Sequence, residues 1–120
     1  MKFKIADKDY EIVAGMSFIN QMDKYYAVED QKGIKFGLGI NLGYSYIIQK
    51  NPTVLQNFFM SALHHRKDKP SPSEIEQAIV DYAEENNGLD GLFEEVGKLL
   101  ETSPLTADTV KHFKKTAKID

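Results

Sequence analysis

The prolines constrain this chain most. Three of the four follow an Asn or Ser, at Asn51-Pro52, Ser71-Pro72 and Ser103-Pro104, and the fourth, Pro70, lies in a charged linker just before one of them. Proline has no N–H to donate and clashes with the preceding turn, so a helix tolerates it in its first turn and not in its interior. Asn and Ser ahead of it are cap residues whose side chains accept from exposed backbone amides. No helix can therefore run through these points, and the second half of the chain must be a series of short helices. Ser71-Pro72-Ser73-Glu74 is the fullest signal, with Glu74 placed to complete a capping box.

Apolar spacing fills in the elements between these marks. Ile75, Ala78, Ile79, Tyr82 and Ala83 line one helical face, which Asn86-Asn87-Gly88 ends. Val54, Leu55, Phe58, Phe59, Ala62 and Leu63 give a broad face from Pro52 to about His65, followed by the linker Arg66 to Pro70. Asp90 is placed to cap a helix carrying Leu92, Phe93, Val96, Leu99 and Leu100, and Thr106 to cap a last one carrying Val110 and Phe113. Upstream, Phe18, Ile19, Met22, Tyr25 and Tyr26 predict a helix over 17–28, then a polar loop ending at Gly33. Leu38, Leu42, Tyr46 and Ile47 favour a helix over 38–50. Its glycines each cost about 1 kcal/mol relative to Ala, so they are expected where another backbone comes close.

Met1 to Ile5 alternates apolar and charged residues, the period of a half-buried strand, and Tyr10 to Val13 reads as its return after the Ala6-Asp7-Lys8-Asp9 turn. The same alternation argues against a targeting segment, which needs an unbroken apolar run. The expected fold is mainly α (α+β): a short N-terminal β-hairpin over 1–14, then a compact bundle of about five to six helices over 15–117. A single domain is expected, with a frayed tail at 118–120.

Composition excludes more than it selects. Fifteen Lys+Arg against eighteen Asp+Glu leave a net charge of −3, which disfavours general nucleic-acid binding. No apolar run is long enough to span a membrane. Without cysteine there is no disulfide framework, thiolate metal site or thiol nucleophile. No cofactor or metal is expected. Gly37-Leu38-Gly39-Ile40-Asn41-Leu42 has Leu42 where a dinucleotide fingerprint needs its third Gly. His64 and His65 are adjacent and point about 100° apart on a helix, so they cannot share a metal. A calcium loop starting at Asn86 would put Gly97 where a bidentate Glu is required. Glu84-Glu85 and Glu94-Glu95 read as solvated faces, not acid/base pairs. With no convergent nucleophile, base or metal set, an enzyme is the least favoured class.

One surplus remains. Met16, Phe18, Met22, Tyr25 and Tyr26 cluster in the first helix, and Phe58, Phe59 and Met60 are consecutive, spanning about 200° of helix surface. Methionine beside aromatics suits a surface that accepts varied partners. Helices buried on two sides would use the same residues. The candidate interaction residues are Phe18, Met22, Tyr25, Tyr26, Phe58, Phe59 and Met60, serving a client or self-association.

Several segments together resemble the tail assembly chaperones of long-tailed bacteriophages and prophages. They are the run Lys35 to Leu42, the Pro-started helix with Leu55 and Ala62-Leu63, and the entry Lys69 to Glu76. The segment Gly91 to Leu100 and the entry Ser103-Pro104-Leu105-Thr106 complete the set. The N-terminal hairpin before a helical body is also similar, and the resemblance covers nearly the whole chain. Gly97, within a helix, departs from the pattern. The resemblance implies a non-enzymatic chaperone that binds the long, helical, aggregation-prone tape measure protein, keeps it soluble and promotes tail tube assembly around it. Its implied partners are the tape measure protein, the tail tube protein and a frameshifted longer form of itself, with a possible homo-oligomer. Its implied place is the bacterial host cytoplasm and not the mature virion. The competing class is a small helical phage or prophage regulatory or DNA-binding protein. That class needs a basic recognition helix, and the best segment, Lys111 to Lys118, has neither Arg nor Asn.

Overall fold

A computed structural model describes residues 1–118. The chain begins with β1 (Lys2–Ile5) and β2 (Lys8–Glu11), paired antiparallel with Phe3 opposite Tyr10 and Ile5 opposite Lys8. The expected first hairpin is thus present. Phe3, Ile5, Tyr10 and Ile12 are buried, while Lys2, Lys4 and Glu11 face water. A two-stranded hairpin is marginal alone, and this one is held from inside by Phe3, whose ring stacks on Phe59 at 4.3 Å. It is also held from outside. Asp68, in the linker, accepts from Arg66 at 2.9 and 3.1 Å and pairs with Lys8. Both cations lie over the Tyr10 ring, and the Tyr10 hydroxyl donates to the Asp68 carbonyl. Hydrogen bonds from Arg66 and then Lys8 hold the Asp68 carboxyl well below the usual carboxylate range.

Among the described residues six helices follow: α1 (Met16–Tyr25), α2 (Gly39–Ile48), α3 (Thr53–Leu63), α4 (Pro72–Asn86), α5 (Asp90–Thr102) and α6 (Ala107–Ala117). A second hairpin, β3 (Ala27–Glu29) with β4 (Lys35–Gly37), lies between α1 and α2. Its strands correct the expectation of a helix to residue 28 and a loop to 33. Helix α1 stops at Tyr25 because Tyr26 leaves helical geometry. The Tyr26 carbonyl accepts from Leu38, while Asp30 binds the Lys32 and Ile34 amides and Gly33 turns with φ +83°. The frayed tail expected at 118–120 lies largely outside the described residues. Lys118 itself closes α6 in the left-handed conformation.

The capping box at the start of α4 is formed. Ser71 N–H donates to Glu74 Oε1 at 2.8 Å, and Glu74 N–H donates to Ser71 Oγ at 3.2 Å. Ser71→Ala should cost about 1 kcal/mol and lower the melting temperature by about 4 °C, read by thermal unfolding. Two other expected caps differ. Asp90 is the first residue of α5 rather than its cap. Thr106, fully buried, stands at the N-cap position of α6 as expected, but its hydroxyl donates to the Leu100 carbonyl at 2.7 Å and ties the α5–α6 corner in place of a side-chain cap bond. Asn51 Oδ1 does accept from Thr53 N–H at 3.0 Å.

The core is one continuous cluster running from the first hairpin through α1, α3, α4 and α5 to α2 and Val110 of α6. The inward face of α2 is rotated from the expected one. Ile40, Gly43, Tyr44 and Ile47 are buried, and Leu42 and Tyr46 only half-buried. The reason is the α1–α2 approach. A Cβ on Gly39 would lie 2.4 Å from the Met22 carbonyl carbon, so the glycine edge must face α1, as the glycines predicted. Gly97 sits where α5 meets α2, its absent Cβ position 3.4 Å from Ile47. Tyr44 reaches across to Glu101 at 2.5 Å, and Lys114 pairs with Glu101 at 3.4 Å, joining α2, α5 and α6. The molecule measures 44 × 33 × 25 Å.

Candidate functional site

The residues singled out for partner binding do not form a surface. Phe18, Met22, Phe58 and Phe59 are 2% exposed or less. The physical reason is the central place of α3, which packs against α1 on one side and α4 on the other. Phe58 meets Phe18 edge-on at 4.9 Å, while its neighbour Phe59 turns to Phe3. Consecutive aromatics are thus taken up by different elements, and these four are corrected from candidate surface to core. Tyr26 is buried too. Its hydroxyl accepts from Asn57 Nδ2 at 3.1 Å, and burial raises its pKa above the ordinary tyrosine value. Met60 is half-buried at a cleft beside Pro70 and Ile75. Only Tyr25 is openly exposed.

The apolar residues that do face water lie elsewhere. Val28, Ile34 and Phe36 are each more than two-fifths exposed on the second hairpin. Val28 stands opposite Phe36 in the register, so the two share one face. The other face carries Gly37, whose absent Cβ position is 2.6 Å from the Asp23 side chain. The hairpin is therefore laid against α1 by a glycine, with its apolar pair turned outward.

A larger feature is a groove of about 570 Å³ between the start of α3 and the outer side of α4. Pro52 and Thr53 form one wall, with Gln56 beside them. Ile79 and Ala83 form the floor, Leu89 closes one end, and Val80 stands at the edge with 41% exposure. Gln56 Nε2 donates to the Pro72 carbonyl at 2.9 Å, fixing the separation of the two helices. Glu76, Val80 and Glu84 follow one another at i, i+4, i+8 and make the outer rim. Helix α4 carries Glu74, Glu76, Asp81, Glu84 and Glu85 and no Lys, Arg or His. None of the five enters an ion pair among the described residues.

Apolar spacing places Ile79 and Ala83 on the inward face of α4 and does not include Val80. The available signal is Val80 itself, an apolar residue off the buried stripe with a glutamate four residues away on each side. Among the described residues no three His, Cys, Asp or Glu side chains are grouped to hold a metal, and His64 and His65 face solvent. No described helix is long and apolar enough to cross a membrane.

The groove is thus apolar, open to solvent, rimmed by carboxylates and built on short packed helices. The chain belongs to a family of phage tail assembly chaperones. The family model described as "Phage tail assembly chaperone protein, TAC" matches residues 2–115. No curated protein and no solved structure matches the chain.

Proposed function

We propose that this tail assembly chaperone binds the tape measure protein, keeps it soluble and promotes assembly of the tail tube around it, in the host cytoplasm and without entering the mature virion. The family match over residues 2–115 carries this reading. The groove between α3 and α4 supports it, because a long helical client needs somewhere to lay its apolar stripe while unassembled. The tail tube protein and a longer frameshifted form of the same chain are the further partners of this reading, and self-association is compatible with the exposed second hairpin. The nucleic-acid alternative loses support from α6, where Lys114 is engaged by Glu101 and lies over the Tyr44 ring.

Co-expression tests the proposal. Tape measure protein made with this chain should move from the pellet to the soluble fraction and co-purify with it. An unchanged pellet fraction with and without the chaperone would refute the reading.

A further inference from the structure

We infer that the α3–α4 groove takes an amphipathic helix whose apolar stripe is flanked by Lys or Arg; this rests on the chaperone reading and names the chemistry of the client segment. The argument is charge complementarity over an apolar floor. Ile79, Ala83 and Leu89 offer a floor that excludes water from an incoming aliphatic or aromatic side chain. Glu76 and Glu84 bracket Val80 on the rim, eight residues apart on one helix, so their attachment points lie about 12 Å apart along its axis. A client helix running alongside α4 meets both carboxylates when it carries basic residues seven or eight positions apart, beside an i, i+3/i+4, i+7 apolar stripe.

The two rim carboxylates are free to pair with an incoming cation. Neither Glu76 nor Glu84 enters an ion pair among the described residues. An acidic-flanked helix would therefore meet repulsion at both rim carboxylates, Glu76 and Glu84. The exposed pair Val28 and Phe36 offers apolar area with no matching charge pattern, and it serves as the control.

The test uses the full chain and two synthetic helical peptides with the same apolar stripe, one flanked by Lys at i and i+7 and the other by Glu. Titration at low salt should show the Lys peptide binding at least roughly tenfold more tightly than the Glu peptide, with the preference shrinking as salt rises. The double variant Glu76→Lys, Glu84→Lys should reverse that preference. Val80→Asp adds a charge that attracts the Lys peptide yet should still weaken its binding, because the apolar contact is lost, and Phe36→Ser should change nothing. Thermal unfolding of each variant confirms that the fold is intact, since all four positions are exposed. Equal binding of both peptides, or loss of binding only in Phe36→Ser, overturns the inference. So does self-association that vanishes in the double variant while neither peptide binds, which would assign the groove to a second copy. If neither peptide binds but the tape measure protein still stays soluble, the inference fails and the chaperone reading stands. If the Lys peptide binds as described but the tape measure protein stays in the pellet, the chaperone reading fails instead.

Discussion

Gly39→Ala should destabilise the protein by about 3 kcal/mol, at the upper end for overpacking a filled core, and lower its melting temperature by about 12 °C. The added methyl would sit 2.4 Å from the Met22 carbonyl carbon, 2.5 Å from the Asp23 amide nitrogen and 2.7 Å from the Met22 Cβ. These are mostly backbone atoms of a neighbouring helix, so no side-chain rotation relieves the overlap. Helices α1 and α2 must separate, and the Gly39 N–H would then lose Asp23 Oδ1, which accepts from it at 2.8 Å. The gain in helix propensity, about 1 kcal/mol, is too small to compensate. Two neighbours grade the effect. At Gly37 the obstacle is the Asp23 side chain, and at Gly43 it is the flexible end of Met22. The order of cost is therefore Gly39, then Gly37, then Gly43. Urea unfolding of the three alanine variants checks it, and a Gly43 variant as damaged as the Gly39 one would contradict this account of the α1–α2 contact.

Phe59→Ala should cost about 4 kcal/mol, the range for deleting a fully buried aromatic ring. Phe59 has no exposed surface and touches Phe3 in a near-parallel stack, with 6° between the ring planes, and Phe58 at 78°. Because Phe3 belongs to β1, the cavity opens beneath the first hairpin. Amides of residues 2–12 should then exchange with solvent faster than those of α5. Pairing Phe59→Ala with Phe3→Ala in a double-mutant cycle should return about 1 kcal/mol of coupling. Additive losses would mean that the hairpin is held chiefly by Asp68 and its cations. A Phe59 variant that kept full stability but lost client binding would restore the residue to the surface role that its burial denies.

The helices were legible because their ends are written in local chemistry. Ser71-Pro72-Ser73-Glu74 forms the bonds its spacing predicts, and Asn51 holds the Thr53 amide. The first hairpin was legible from strict alternation. The second was not, since Ala27-Val28-Glu29 and Lys35-Phe36-Gly37 are three residues each and entirely exposed, leaving no buried face to give a period. They form because Asp30 and Gly33 build the turn and Gly37 allows close approach to α1, facts of tertiary contact. The candidate site failed for a related reason. Aromatic density marked the places where several elements converge, and convergence buries them. The floor of the groove is lined instead by small and aliphatic residues whose only local mark is a glutamate four residues to each side of Val80.

The molecule's size sets a ratio. At 1.5 Å per residue its longest dimension, 44 Å, parallels only about 30 residues of a helical client. The rim carboxylates Glu76 and Glu84 read about two turns of that length. On the proposed reading, a tape measure helix several times longer than the chaperone is covered by copies in series. The stoichiometry of the complex is then set by how many basic-flanked apolar stripes the client carries, and it should rise in steps as the client is lengthened.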